Sequence, residues 1–389
     1  MATPLGTTPA TLAACDPTGC LHLHDELSII KTTARSAISA GRANSHDTSW
    51  SIWTRFCLDL ACDPFLSDIH DPLPLLQIFA ARYRVGTLAP STSPVRSRTV
   101  EGALRAVGQT FTALGYPDPR LQPSGRLDFR LHRQLQGYAK IDPPPHRVKP
   151  VPLQIILHIV IQCYNTQDAI HNAFAHMLTL GFFFLLRPGE YAATCNPDAT
   201  PFRLCDIHLL HASRRLDVMT CPEAELETVT HVALEFTTQK NGVRGELVGL
   251  GRSGHHILCP VIAAIRRIKH LRLHAAPPFT PLYTVYTPSP TSITTTDLTR
   301  QLRLACTALG STVGITPQDI SVRSLRSSGA MALLCGNVDT DKIRLLGRWR
   351  SDEMLRYLHV QALPIAAPLA SLMVRHGFFS FIPNNRLRG

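Results

Sequence analysis

The sequence predicts a mainly α-helical protein with a small antiparallel β-sheet, arranged in two domains. Three observations predict it. Apolar residues recur at three- and four-residue steps over much of the chain, as one face of a helix would. The stretch Asp142-Pro143-Pro144-Pro145-His146-Arg147-Val148-Lys149-Pro150-Val151-Pro152 excludes helix and reads as a stiff, extended connector. Beyond Asp206 the period shortens towards two around an Asn-Gly step, the mark of a hairpin. A chain of 389 residues is long enough to bury two cores.

Residues 1–30 mix Thr, Pro, Gly and His, and read as a disordered segment. Residues 31–141 form the first, helical domain. Trp50, Trp53, Phe56 and Leu60 share one face of a first helix, and Leu75, Leu76, Ile78 and Phe79 mark a second. Thr99 to Leu114 gives a third, with Leu104, Val107, Phe111 and Leu114 on one stripe, and Leu127 to Tyr138 a fourth. Arg96, Arg98 and Arg105 lie at or near the start of the third, so the bundle carries a basic face, either solvated or facing a polyanion.

After the 142–152 linker, a second domain over 153–362 opens with helices at about 152–164 and 168–186. His231 to Thr238 is β-like and runs into Gln239-Lys240-Asn241-Gly242, and Glu246 to Leu250 reads as the returning strand. Helices follow from Cys259-Pro260 through Leu273, and at about 296–309, 322–335, 340–346 and 352–359. A tail over 363–389 carries Leu363, Ile365, Leu369, Leu372 and Met373, then Phe378, Phe379 and Phe381. It suits docking on a second subunit or folding back on its own domain.

Net charge of +11 and a pI near 9.3 favour a polyanionic partner. Of the 39 basic side chains only six are lysine; arginine forks onto two phosphate oxygens, although a GC-rich coding sequence gives the same bias. Eleven cysteines are scattered and odd in number, and the start lacks the basic and apolar regions of a secretory signal, so a reducing intracellular compartment is expected. Cys15, Cys20, His22 and His24 fit the spacing of no common zinc finger, and no metal is expected. The apolar run from Leu178 to Leu186 is too short to span a bilayer and reads as a core helix.

Three motifs carry chemistry. Leu186-Arg187-Pro188-Gly189-Glu190 places an arginine at the end of that apolar helix, where an uncompensated charge is costly. Arg323-Ser324-Leu325-Arg326 places a second beside small residues. Gly347-Arg348-Trp349 precedes Tyr357 by ten residues, with His359 just after. A phosphodiester resists attack until its non-bridging oxygens are neutralised and its nucleophile and leaving group are held in line. Two arginines and a tyrosine supply those needs. Each has a plainer reading: Arg187 as a helix cap paired to Glu190, and Tyr357 as a core tyrosine.

In these residues, from about Pro150 to about Gln361, the chain resembles the catalytic domain of the tyrosine recombinases, the phage-integrase family. The phrase from Leu346 to Tyr357 also looks like recombinases of Crypton-type mobile elements. The resemblance implies an α+β catalytic domain behind a helical core-binding domain that clamps duplex DNA. Tyr357 would be the nucleophile and Arg187 and Arg326 the phosphate-binding arginines. Lys240, beside the predicted turn, would be the general acid for the departing 5′ oxygen, with a solvated turn lysine as the plainer reading. The family's His-x-Leu-Arg motif carries Arg323 at its histidine position, which puts proton transfer at that step in question. Arg348 matches the family's His or Trp position, with Trp349 as its rival. No cofactor is implied, since a phenolate attacks unaided and the phosphotyrosine conserves the bond for rejoining. Partners would be double-stranded DNA and a homotetramer on it, in the nucleus of a eukaryote or otherwise the cytoplasm. Two further readings stay open: a DNA-binding protein that keeps the fold without the chemistry, and a relaxing enzyme of type IB topoisomerase kind.

Overall fold

The computed structural model describes residues 25–26, 28–30, 32–33, 36–144, 148–164, 166, 168–196, 198–237, 245–310 and 314–350. The segment 1–24, the turn carrying Lys240, the Tyr357 helix and the tail of 363–389 therefore lie outside the described residues. The chain divides into two compact units, Met1–Pro145 and His146–Gly389.

The first unit is a helical bundle: α1 (Ala40–Asp59), α2 (Leu73–Arg84), α3 (Ser97–Ala113) and α4 (Phe129–Ile141). Trp53, Phe56, Phe79 and Phe111 form its centre, each fully or almost fully buried. Trp53 meets Phe79 edge to face with ring centroids 5.2 Å apart, an arrangement favoured by the ring quadrupoles. The Trp53 indole N–H donates to the Pro64 carbonyl at 2.9 Å, so the largest core side chain leaves no polar atom unpaired. Ser39 and Asp128 cap α1 and α4 by accepting backbone N–H groups. Asp142, read in the sequence as the start of the connector, accepts the Ser97 amide at 2.9 Å at the head of α3 and pairs with Arg84. The carboxylate offsets the positive end of that helix, and α3 starts at Ser97, two residues before the Thr99 read from the sequence.

The second unit is mainly helical around a small antiparallel sheet, as the sequence predicts. Its helices are α5 (Leu153–Tyr164), α6 (Ala169–Phe183), the single turn α7 (Pro188–Tyr191), α8 (Glu223–Thr228), α9 (Pro260–Leu273), α10 (Thr295–Leu309), α11 (Ser324–Cys335) and α12 (Thr340–Leu346). Strands β1 (Ile207–His211), β2 (Arg214–Leu216), β3 (His231–Phe236) and β4 (Glu246–Gly251) form one sheet in the order β2-β1-β3-β4. The β3–β4 register pairs Phe236 with Glu246 and His231 with Gly251, so the hairpin read from the Asn-Gly step is present as two paired strands. A second hairpin, β5 (Thr284–Thr287) with β6 (Ser289–Ser292), carries no apolar alternation and was not legible.

Among the described residues no helix is long and apolar enough to cross a membrane. The apolar run of α6 is instead the axis of the unit, packed against α5, α9 and α11. The sequence predicts this helix through Leu186, yet it ends at Phe183, because Leu185 takes a left-handed backbone with φ of +49°. The α6–α11 crossing is close: a Cβ on Gly329 would lie 2.3 Å from the Phe182 carbonyl oxygen. The Tyr191 hydroxyl donates to the Val322 carbonyl at 2.8 Å and ties α7 to the approach of α11.

Arg267 on α9 is buried and donates through Nε to the Leu282 carbonyl at 2.9 Å and through Nη2 to the Thr284 carbonyl, which fastens the second hairpin. His270 accepts the Tyr286 amide at 3.1 Å, and burial, helped by Arg267 and His274, pulls its pKa down to about 4. An imidazole kept neutral in the fold but not in the unfolded chain, where it titrates near 6.5, stabilises the fold above that pH. That contribution is lost as pH falls from about 6.5 towards 4. Tm measured by circular dichroism is therefore expected to drop across this window, and His270→Gln to flatten the drop. An unchanged slope in the variant would contradict the assignment.

Candidate active site

The site is built where α6 ends. The left-handed turn at Leu185 ends the helix and directs the buried Leu185 carbonyl towards α11 and the end of α12. Arg187 follows in extended conformation, φ −77° and ψ 150°, as the N-cap of α7. Glu190, three residues on and buried, accepts the Arg187 amide at 2.7 Å through Oε2 and the Arg187 guanidinium at 2.9 Å through Oε1. The capping pair read in the sequence is thus present. The Arg187 side chain is still 30% exposed, so capping does not withdraw it from solvent.

Arg326 sits in the first turn of α11 and is 8% exposed. Its Nη1 donates to the Leu185 carbonyl at 3.0 Å and its Nη2 to the Gly347 carbonyl. Its guanidinium carbon lies 4.3 Å from the centre of the Trp349 ring, a stacked cation–π contact. Gly347 is required for this: a Cβ there would meet the Trp349 ring at 1.6 Å.

Arg348 also has a left-handed backbone, φ +56°, and its side chain has no exposure to solvent. It points inward. Nη2 donates to Glu190 Oε2 at 3.1 Å and to the Leu185 carbonyl at 3.3 Å, and the guanidinium carbon lies 3.6 Å from the Phe236 ring centre on β3. Burial pulls its pKa down to about 10, with Glu190 opposing that shift. Arg348 and Trp349, rivals for one position in the sequence, thus take different places: Arg348 beneath Glu190, and Trp349 against Arg326.

Arg187, Arg326 and Arg348 therefore converge from three distant stretches on one carboxylate and one backbone carbonyl. Arg323 is not part of that cluster. It stands at the N-cap position of α11 without a side-chain capping bond, is exposed, and lines a cavity of about 640 Å³ with Arg300, Arg303, Thr295, Thr299 and Ser321. Arg303 donates to the Ile320 carbonyl at 3.3 Å and Arg300 lies 3.5 Å from Asp297, whereas Arg323 has no ion pair among the described residues. The cavity wall is cationic and rich in hydroxyl groups, a lining suited to phosphate oxygens.

Sequence reasoning singled out Arg187, Arg323, Arg326, Arg348 and Trp349, and missed Arg300, Arg303 and the Leu185 carbonyl. The three-residue spacing of Arg300 and Arg303, on the helix that leads to Arg323, was the available signal for the first two. Lys240 and Tyr357 lie outside the described residues. Among the described residues no group of His, Cys, Asp or Glu side chains is placed to hold a metal ion.

No protein-family model matches the sequence, and no curated protein does. Solved structures do match. One is the integrase of transposon Tn1549 in complex with circular intermediate DNA, at 15% identity and a TM-score of 0.43, covering 78% of this chain and 86% of that one. A variant of the same integrase in complex with transposon right end DNA matches at 14% identity and a TM-score of 0.44, covering 79% and 85%. XerA recombinase matches at 13% identity and a TM-score of 0.36, covering 90% and 97%.

Proposed function

We propose that the chain is a DNA strand-exchange enzyme of the tyrosine-recombinase kind. Tyr357 loses its phenolic proton to solvent, and the phenolate oxygen attacks a backbone phosphate, forming a 3′-phosphotyrosine as the bond to the 5′ oxygen breaks. Lys240 gives that oxygen its proton, leaving a free 5′ hydroxyl. Arg187 and Arg326 bind the non-bridging oxygens as charge builds on them. Arg323 donates hydrogen bonds to the phosphate and exchanges no proton. Rejoining is the reverse step with a new 5′ hydroxyl, so neither cofactor nor energy source is needed.

The observation that carries this reading is the convergence of Arg187, Arg326 and Arg348. Folding has brought Arg187 and Arg348, 161 residues apart, onto the single carboxylate of Glu190, and Arg326 and Arg348 onto the Leu185 carbonyl. A cluster with more cations than anions is costly to assemble unless an anion is to be bound there. The cationic cavity at Arg323 supports double-stranded DNA as the partner. Exchange of two duplexes needs four protomers, so the assembly on DNA is a homotetramer. The protein works wherever its DNA is, in the nucleus of a eukaryote or otherwise in the cytoplasm.

A second reading, DNA binding without chemistry, draws on one observation: an arginine stands where proton exchange would use histidine. The two readings share the DNA surface and part at the covalent step. For the shared part, Arg300→Ala, Arg303→Ala and Arg323→Ala are each expected to lower the slope of log affinity against log salt by about 1. Fluorescence anisotropy on a labelled duplex reads the slope, and unchanged slopes in all three would remove the cavity from the DNA surface.

A further inference from the structure

We propose that Arg348 is a positioning residue: its buried guanidinium, wedged between the Phe236 ring, Glu190 and the Leu185 carbonyl, holds the acceptors that aim Arg187 and Arg326, and does not itself touch substrate. This deepens the strand-exchange reading and rests on it.

Arg348 touches both acceptors on which the other two arginines depend. Glu190 Oε2 takes Arg348 at 3.1 Å and the Arg187 amide at 2.7 Å, while Oε1 takes the Arg187 guanidinium. The Leu185 carbonyl takes Arg326 at 3.0 Å and Arg348 at 3.3 Å. With no exposed side-chain surface, Arg348 is closed to a phosphate from solvent.

The arrangement opposes stability, which argues against a plain packing role. Among the described residues, Nε and Nη1 of Arg348 are buried and have no hydrogen-bond partner. Unpaired buried donors destabilise a fold, and a hydrophobic side chain of similar volume commonly does better at such a place. The left-handed backbone at Arg348 adds strain, as does the one at Leu185 that it meets. What the wedge supplies is fixed geometry. With Arg348 absent, Glu190 is free to close fully on Arg187, and the Leu185 carbonyl has one fewer donor to hold it.

The test is a double-mutant cycle of Arg348→Met and Glu190→Gln in the full chain, with Arg348→Lys alongside. Three quantities are read: duplex affinity, the rate of covalent attachment to a nicked duplex at saturating protein, and Tm. Arg348→Met is expected to keep affinity within about twofold and to slow attachment by about tenfold or more, with the double variant no slower than the slower single one. Arg348→Lys keeps the charge but not the fork, and is expected to keep affinity while attachment stays slowed. A purely structural role would lower Tm and leave the rate of the folded fraction unchanged, which overturns the proposal. So do additive losses, or a loss of affinity equal to the loss of rate, which would place Arg348 on the DNA. Absence of attachment by the wild-type chain on every nicked duplex is a failure of the strand-exchange reading. The wedge is then judged by Tm alone, where additive shifts for Arg348→Met and Glu190→Gln overturn it and non-additive shifts support it.

Discussion

Arg326→Ala is expected to slow covalent strand attachment by roughly 10²- to 10³-fold, by analogy with removal of one oxyanion-stabilising donor. Two effects add. The guanidinium that would meet the phosphate is gone, and the Leu185 and Gly347 carbonyls lose a donor in a buried place. Trp349 loses the cation it stacks on and the end of α12 loosens. Arg326→Lys retains charge but cannot fork between two carbonyls, so only a small part of the rate is expected to return. Single-turnover attachment measured together with Tm separates the two effects: rate lost at little cost in Tm belongs to the phosphate. An Arg326→Ala protein with full rate would remove the residue from the site.

Gly329→Ala is expected to destabilise the second unit through a single methyl group. Its Cβ would lie 2.3 Å from the Phe182 carbonyl oxygen and 3.3 Å from Leu185. A backbone atom cannot yield as a flexible side chain can, so α11 must move off α6. Overpacking of this kind costs about 1–3 kcal/mol. At the upper end that is a fall of roughly 6–12 °C in Tm for a unit of this size. Since Arg326 is one turn earlier on the same helix, attachment should slow as well. Gly102→Ala is the control: it lies within α3, a Cβ there meets nothing within 4 Å, and better helix propensity should stabilise by about 0.5–1 kcal/mol. Equal Tm shifts in the two variants would contradict the close crossing.

The helices were legible because each buries one face, and a buried face writes its period into the sequence. The Trp53–Phe56 and Leu104–Val107–Phe111 stripes are the cores of α1 and α3, and α12 runs over Thr340–Leu346 as read. What failed was structure that leaves no apolar period. β6 is Ser-Pro-Thr-Ser with every residue exposed, held by backbone pairing to β5 alone. The end of α6 was misplaced because Leu178 to Leu186 is apolar throughout, and nothing in such a run marks Leu185 as left-handed.

The candidate site was legible as motifs but not as contacts. Arg187 and Glu190 declare their pairing by spacing, since a cap and the third helical residue face each other. Arg348 does not declare its burial: an arginine followed by Trp349, Arg350 and Ser351 reads as surface, and only the fold shows it turned inward against Phe236. Arg300 and Arg303 look like the solvated side of an amphipathic helix until Arg323 is seen across the same cavity.

The most direct test of the central claim is covalent capture. Nicked duplexes drawn from the DNA flanking the gene are incubated with the wild-type chain and with Tyr357→Phe, then resolved on a denaturing gel. A protein–DNA adduct from wild type alone, with both proteins shifting the duplex on a native gel, is the result the account predicts. An adduct of equal yield from Tyr357→Phe would contradict the nucleophile. A salt-sensitive shift with no adduct from either protein, across duplexes tiling both flanks, would contradict strand exchange and leave a DNA-binding protein.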